Sequence, residues 1–176
     1  MRIITGKYKG RHFEIPRTFK ARPTTDFAKE NIFNVLNHYI DFEDATALDL
    51  FSGTGSITLE LLSRGCSHVV SVEADRDHHR FIQDCLKKLD TQGCVPLRGD
   101  VFRFIKSCKH QFDFIFADPP YALKELPTIP DLIFEKGLLK EGGVFVFEHG
   151  KDHVFSAHPH FAEHRSYGSV NFTLFT

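Results

Sequence analysis

The stretch of the sequence best suited to chemistry is the tetrapeptide Asp118-Pro119-Pro120-Tyr121, which follows the apolar run 112–117. Proline has no backbone N–H to donate to a sheet, so a strand that reaches this point must end there. The Asp118 carboxylate and the Pro119 carbonyl are acceptors that the proline rings hold rigidly, and Tyr121 offers a face on which a base can stack. These groups predict a binding site for the exocyclic amino group of a nucleobase.

An amino group bound in this way becomes a better nucleophile. Its lone pair is normally delocalised into the base, and two acceptors on its hydrogens draw the nitrogen toward sp³ geometry. In-line attack on a methyl sulfonium is then possible, with positioning and electrostatics as the main sources of catalysis. Asp118 could take the proton, although an ordinary carboxylate is a weak base for this step. The alternative is a proline-terminated strand followed by a chance aromatic residue.

A glycine turn lies upstream, in the stretch 49–56 with the sequence DLFSGTGS. Gly53 and Gly55 lack a Cβ, so the backbone can turn tightly and a ligand can approach it. The helix that follows offers free N–H groups at its first turn. The third glycine of a dinucleotide fingerprint is missing, because Thr58 follows Ser56 and Ile57. A purely structural turn is therefore the alternative interpretation.

Three acids mark the ends of successive predicted strands. Glu73 stands 20 residues after Gly53, where a carboxylate can accept both ribose hydroxyls of an adenosine. Asp100 could meet the adenine amino group with Val101 beside the ring, or it could simply cap a helix. Asp49, just before the glycine turn, suits a charged methionyl end and a sulfonium. Because a dinucleotide pyrophosphate usually requires the third glycine, the set favours S-adenosylmethionine over a nicotinamide cofactor.

The elements that must position these residues alternate between strands and helices. Period-2 and apolar runs predict strands at 46–51, 68–75, 95–97, 112–117, 142–149 and 169–176. Helical spacing predicts helices within 24–39, 53–63, 81–89, 101–108 and 126–134. This order indicates an α/β fold with a doubly wound, mostly parallel sheet, and the alternating last strand indicates an antiparallel partner near one edge. We expect one domain over 1–176, with a basic β-hairpin and loop at 1–22 and a catalytic core at 23–176.

Charge is distributed unevenly along the chain. The net charge is −1, yet residues 1–22 carry seven basic residues against one acid, Glu14. The seven are Arg2, Lys7, Lys9, Arg11, Arg17, Lys20 and Arg22. A basic arm on an acidic body predicts an anionic partner such as nucleic acid, and a solvated tail is the alternative.

Several classes of protein are disfavoured by what the sequence lacks. No apolar segment is long enough to cross a membrane, no signal peptide is visible, and we expect a cytoplasmic location. The four cysteines have no metal-binding spacing, and the five histidines after residue 148 are expected to be solvated, so no metal is predicted. A monomer is the default expectation.

The DPPY tetrapeptide together with DLFSGTGS resembles the class I, S-adenosylmethionine-dependent amino methyltransferases. The flanking stretches narrow the resemblance to the RsmD type, which methylates the guanine N2 amine in bacterial small-subunit ribosomal RNA. These stretches are RIITGKYKGR (2–11), RPTTDFAKENIFNVL (22–36), LLSRGC (61–66) and RSYGSVNFTLF (165–175). The chain departs from the pattern at Thr58, where glycine is common, and at Ala28-Lys29, where Val-Arg is common.

The resemblance implies a seven-stranded Rossmann-like sheet with an N-terminal hairpin. It implies methyl transfer to a guanine in 16S rRNA, within the small ribosomal subunit or its assembly intermediate. Segment 22–25 would close over the active site, and Asn34 would contact substrate or cofactor. The predicted RNA contacts are Arg2, Lys7, Lys9, Arg11, Arg22 and Thr24. The remaining alternatives are an amino methyltransferase for adenine N6 or another RNA or DNA, and a non-catalytic RNA-binding module.

Overall fold

The computed structural model describes residues 1–176 and consists of a seven-stranded sheet with helices on both faces. In chain order the elements are α1 (Asp26–Leu36), β1 (Thr46–Leu50), α2 (Ser56–Ser63), β2 (His68–Glu73), α3 (Arg76–Leu89), β3 (Cys94–Arg98), α4 (Val101–Ser107), β4 (Phe112–Ala117), a 3₁₀ turn (Leu126–Thr128), α5 (Ile129–Glu135), β5 (Leu139–His149), β6 (Phe161–Tyr167) and β7 (Val170–Phe175). None of the helices combines the length and apolar character needed to cross a bilayer.

The strand order is β3-β2-β1-β4-β5-β7-β6, which confirms the predicted doubly wound sheet. The five strands from β3 to β5 are parallel, whereas β7 runs antiparallel to both β5 and β6. The chain moves outward from β1 to β3 and then returns to place β4 on the other side of β1. The boundary between β1 and β4 is therefore the topological switch point, where open α/β sheets bind ligands.

Successive side chains of each strand point to opposite faces of the sheet, and this divides the hydrophobic core into two layers. Phe114, Phe116 and the residues in step with them on neighbouring strands pack against α1, α2 and α3. Ile115, Phe145 and their counterparts pack against α4 and α5. Full burial of one phenylalanine side chain is worth roughly 1.5–3 kcal/mol, so this Phe-rich pair of layers accounts for the stability of the sheet.

One strand is missing from the sequence-based prediction. The segment 161–167 forms β6 at the edge of the sheet, where a loop-rich stretch with solvated histidines is expected from the sequence. Its sequence, FAEHRSY, has charged and half-buried side chains because it pairs with β7 on one side only. The expectation is also wrong for His149, which is buried in β5 and shares a 2.7 Å hydrogen bond with the Thr173 hydroxyl.

The N-terminal hairpin is present but short. A bridge pairs Arg2 with His12, and three backbone hydrogen bonds join the two segments, from the amides of Ile3, Gly10 and Phe13 to the carbonyls of Arg11, Ile3 and Met1. The backbone donors that would extend a ladder bind α2 instead. The amides of Ile4 and Thr5 donate to the two carboxylate oxygens of Glu60 at 2.9 and 3.1 Å. We refer to residues 1–24 as the arm; its first part packs along α2.

A buried ion pair fastens the arm. Lys29 of α1 is 1% exposed, and its Nζ donates to the Arg2 carbonyl at 2.7 Å and lies 3.5 Å from Glu60 Oε1. Arg64 Nε adds a second contact to Glu60 at 2.9 Å. Burial lowers the pKa of Lys29, and the Glu60 charge opposes that shift. Lys29 is thus an internal residue with no surface to offer RNA, and it is not among the predicted RNA contacts.

Candidate active site

A cleft of about 820 Å³ opens at the carboxyl ends of the parallel strands, on both sides of the switch point. The arm segment 20–24 forms its outer wall. Eight of the residues predicted to bind cofactor or substrate line it: Arg22, Thr24, Asp49, Gly53, Glu73, Asp100, Val101 and Asp118. The structure therefore brings together residues that lie up to 96 positions apart in the sequence.

The glycine turn has the backbone geometry that its sequence predicts. Gly53 (φ 55°) and Gly55 (φ 81°) both adopt the left-handed region that favours glycine. Gly55 is also the N-cap of α2, and a Cβ on it would lie only 2.9 Å from Ile82 Cγ1. Phe51 (φ 57°) shares the left-handed conformation without being glycine, which places local backbone strain at the cleft.

Glu73 holds the glycine turn and faces the cleft. Its Oε1 accepts the Gly53 amide at 2.8 Å, and its Oε2 accepts the Asp75 amide at 2.8 Å. Each carboxylate oxygen has a second lone pair, so both can still accept a hydroxyl from a ligand. The two backbone donors orient the carboxylate as ribose binding would require.

Asp100 caps a helix with one of its two carboxylate oxygens. Its Oδ1 accepts the Arg103 amide at 3.0 Å and caps α4, while its second oxygen has no protein donor. Val101 follows it and is buried in the wall of the cleft. One carboxylate oxygen and an apolar surface are consequently available to a ligand at the end of β3.

Asp49 is 1% exposed and lies at the base of the cleft. Its Oδ2 accepts the hydroxyl of Thr58 at 2.7 Å, a contact that sequence reasoning missed. Burial raises the pKa of Asp49 to about 7, although the Thr58 hydrogen bond favours the charged form. A cation bound beside Asp49 would return its pKa toward lower values, because opposite charges stabilise each other.

Glu148 at the end of β5 is the principal site residue that sequence reasoning missed. Its side chain is buried, and its oxygens accept the Thr24 hydroxyl at 3.2 Å and the Tyr121 hydroxyl at 2.8 Å. Ala117 pairs with Phe147 in the parallel register, so the next residues, Asp118 and Glu148, lie side by side with their carboxyls in contact. An acid that ends the apolar stretch VFVFE, as Asp118 ends FIFAD, is the signal that could have revealed it.

The four acids of the site project from the same face of the sheet. Side chains two positions apart on a strand lie on the same face of the sheet. Asp49, Asp118 and Glu148 each follow, by two positions, a residue of the core layer that packs on α1, α2 and α3. Those three core residues are Ala47, Phe116 and Val146. Glu73 keeps the same parity with Val69 on β2. Strand alternation therefore places all four acids on one face of the sheet, where Asp49, Glu73 and Asp118 line the cleft and Glu148 lies buried behind Asp118.

The outer wall of the cleft is attached at two points. The Phe19 ring contacts His78 and Phe81 of α3 edge-on, at centroid distances of 4.6 and 5.5 Å. At the other end, Thr24 donates to Glu148. Between these points, the Arg22 guanidinium donates to the backbone carbonyl of Phe19 and forms no ion pair. Its charge thus remains available at the mouth of the cleft.

The other predicted RNA contacts are scattered. Arg2 pairs with Asp26 at 3.2 Å, and Arg11 donates to the Lys88 carbonyl at 3.0 Å. Lys7 and Lys9 occupy the tip of the arm beside the C-terminal end of α2, whereas the cleft lies at the N-terminal end of that helix. An eight-residue helix separates the two by roughly 12 Å. Asn34 is exposed on α1 and does not line the cleft.

Comparison with known proteins gives a consistent result. The whole chain, 1–176, matches the family model described as Conserved hypothetical protein 95. It is 33% identical over 160 residues to ribosomal RNA small subunit methyltransferase D of Haemophilus influenzae, covering 86% of this chain and 80% of that protein. Identity to the Escherichia coli K12 protein of the same name is 30% over 148 residues, with 84% and 74% covered. The solved structure of a hypothetical protein from Thermus thermophilus superposes with a TM-score of 0.87 at 28% identity, covering 99% and 98% of the two chains.

Proposed function

Because this chain belongs to the family of the small-subunit ribosomal RNA methyltransferases D, the RsmD type, we propose that it methylates the N2 amine of a guanine in 16S ribosomal RNA. The methyl donor is S-adenosylmethionine. The observation that carries the proposal is the position of Asp118 and Pro119. Asp118 lines the cleft at the switch point, beside the acids at the ends of β1, β2 and β3, and Pro119 follows it directly.

The cleft residues fit S-adenosylmethionine. Glu73 has free lone pairs for the ribose hydroxyls, and Asp100 has a free oxygen for the adenine amine with Val101 beside the ring. Asp49 offers a carboxyl to the cationic methionyl end, and Gly53, which lines the cleft without a Cβ, lets the ligand approach the backbone. When bound, the cofactor supplies an electrophilic methyl group on a sulfonium.

The residues after β4 would prepare the guanine. Asp118 and the Pro119 carbonyl accept the two hydrogens of the N2 amine, which localises its lone pair. Tyr121 is 44% exposed, so its ring is available for stacking, while its hydroxyl is tied to Glu148. The target base must be unstacked from the RNA to enter such a site.

The RNA would approach the mouth of the cleft, where Arg22 carries a free charge and Thr24 lines the wall. The substrate we propose is 16S rRNA within the small ribosomal subunit or an assembly intermediate of it, bound by a monomer in the cytoplasm. Names of relatives support ribosomal RNA of the small subunit as the substrate. Since phosphate contacts release counterions, binding should weaken steeply with added salt.

Methyl transfer from radiolabelled S-adenosylmethionine tests the proposal. Small ribosomal subunits from a bacterium that lacks its own enzyme of this type should be labelled, and nucleoside digestion should release N2-methylguanosine. Asp118→Ala should abolish labelling while leaving S-adenosylhomocysteine binding in place. Label on adenine N6 would identify a different amino methyltransferase, and label confined to DNA would overturn the ribosomal substrate.

A further inference from the structure

Glu148 receives hydrogen bonds from two separate parts of the chain and contacts a third. Thr24 of the arm donates to Oε1 at 3.2 Å, and Tyr121 donates to Oε2 at 2.8 Å. The carboxyl of Asp118 contacts it from the neighbouring strand β4. With 6% of its surface exposed, Glu148 is a buried carboxylate whose oxygens are directed by its neighbours.

No cation balances the Asp118–Glu148 pair. The titratable groups that face it are Asp49 from β1 and Tyr121 from the loop after β4, and the arm contributes the neutral Thr24. Phe172 of β7 pairs with Glu148, and His149 points to the other layer, where it bonds Thr173. Two contacting carboxyls away from cations cannot both ionise readily, so the pair retains a proton.

The proton resides on Asp118. Burial and the Glu148 charge raise the pKa of Asp118 well above its usual value. Burial also raises the pKa of Glu148, but hydrogen bonds from Asp118, Tyr121 and Thr24 oppose the shift and stabilise its charged form. The resting pair is therefore a protonated Asp118 that donates to an ionised Glu148, with the second Asp118 oxygen directed at the cleft.

We propose that Glu148 is the final acceptor of the proton that the target amine loses, and that Asp118 relays it. The inference rests on the proposed function. The amine lone pair forms the N–C bond, the C–S bond breaks, and its electron pair remains on sulfur. One amine proton passes to the free oxygen of Asp118, while the proton already on Asp118 passes to Glu148.

Charge balances across this step. Before transfer, the sulfonium is positive and Glu148 is negative; afterwards the thioether, Asp118 and Glu148 are all neutral. The final acceptor is a stronger base than an ordinary carboxylate because burial raises the pKa of Glu148, and Asp118 connects it to the amine by hydrogen bonds. Glu148 acts through Asp118, so it is a positioning residue, and Tyr121 and Thr24 hold it in place.

Glu148→Gln tests the relay, since glutamine keeps the size and an acceptor oxygen but cannot take the proton. We expect single-turnover methylation of small subunits to fall by about 10²–10⁴-fold, the usual contribution of proton transfer. Affinity for S-adenosylhomocysteine should change by less than about twofold. With S-adenosylmethionine saturating at every pH, the wild-type rate should fall as pH drops and Glu148 becomes protonated, and this acid limb should vanish in the variant. Glu163→Gln on β6 is the matched control and should behave like the wild type in both assays.

Two further measurements separate the relay from the substrate assignment. Infrared spectroscopy of the wild-type enzyme at pH 8.5, where Asp49 with its pKa of about 7 is ionised, should show the carbonyl band of a protonated carboxyl, and Asp118→Asn should remove it. Absence of that band overturns the relay whatever the substrate is, as does a Glu148→Gln enzyme with more than a third of the wild-type rate. A wild-type enzyme that shows the band but does not label small subunits instead refutes the proposed function. Tyr121→Phe, which keeps the ring and removes one bond to Glu148, should retain more activity than Glu148→Gln.

Discussion

Thr58 donates its hydroxyl to the buried Asp49 carboxylate across 2.7 Å, joining the first turns of α2 to the end of β1. Thr58 stands where the resemblance implied glycine, and it places a hydrogen-bond donor at the base of the cleft. The bond favours the ionised form of a carboxyl whose pKa burial has raised to about 7. The charge of Asp49 is therefore poised to change near neutral pH.

Cofactor affinity should consequently depend on pH. Asp49 is ionised above pH 7 and protonated below it, and only the ionised form attracts a cationic methionyl group. We expect the dissociation constant for S-adenosylmethionine, measured by calorimetry, to rise by up to about tenfold per pH unit below 7. Asp49→Asn should bind weakly at every pH, and Thr58→Val should move the transition to higher pH. Thr173→Val, another buried threonine, is the control, and a flat wild-type profile between pH 6 and 8 would contradict the role of Asp49.

The folding stability of the protein should fall as pH rises, whereas its affinity for the cofactor should increase. The pKa of Asp118 is higher in the folded state than in the unfolded chain, so the folded state binds more protons between the two values. Folding stability is therefore lost as pH rises from the unfolded pKa toward the folded one. Asp118→Asn has no carboxyl to titrate and so avoids this loss of folding free energy. Its melting temperature at pH 8 should exceed that of the wild type by about 2–4 °C for each kcal/mol of folding free energy regained.

Thermal unfolding at pH 8 and at pH 4 measures the effect, since the difference between the two proteins should shrink at the lower pH. An equal difference at both values would show that packing, and not ionisation, is responsible. A gain in stability together with a loss of methylation would place the Asp118 carboxyl among groups that are retained for chemistry at the expense of folding.

The attachment of the arm should depend on Glu60. Its removal leaves the Lys29 ammonium buried without a counter-charge and leaves the amides of Ile4 and Thr5 without an acceptor. We expect Glu60→Ala to lower the free energy of unfolding in urea by about 3–5 kcal/mol. Limited proteolysis should also cut the arm faster than in the wild type. Glu30→Ala, on the exposed side of α1, should change neither quantity, and a Glu60→Ala protein of normal stability would refute the fastening role.

The basic residues should contribute unequally to RNA binding. Arg22 has an unpaired charge at the mouth of the cleft, whereas Lys9 lies at the arm tip, beyond the far end of α2. We expect Arg22→Ala to raise the KM for small subunits by about five- to tenfold at low salt, with less effect at high salt as screening increases. Lys9→Ala should change KM by less than about twofold. Equal losses in both variants would indicate that the RNA covers the arm tip as well as the cleft.

The sequence predicted the parts of the site whose signals are local. Asp49, Glu73 and Asp118 each end or nearly end an apolar strand, and parallel strands end at one edge, so their convergence follows from the element order. Glu148 was missed because its role depends on Thr24, 124 positions away, and on register with β4. The attachment of the hairpin to α2 could not be predicted for the same reason, since the acceptor, Glu60, lies 56 positions from Ile4.

Asp49, Asp118 and Glu148 lie on the same face of the sheet only because each strand has the right number of residues before its acid. A β-strand changes the face of every later side chain when one residue is gained or lost. An alanine inserted between Val144 and Val146 would leave β5 apolar and the end of the strand acidic, yet it would turn Glu148 toward the α4 and α5 layer. Such a protein would keep every functional residue and lose the function, so single-residue insertions and deletions in β1, β4 and β5 should be far less tolerated than conservative substitutions there.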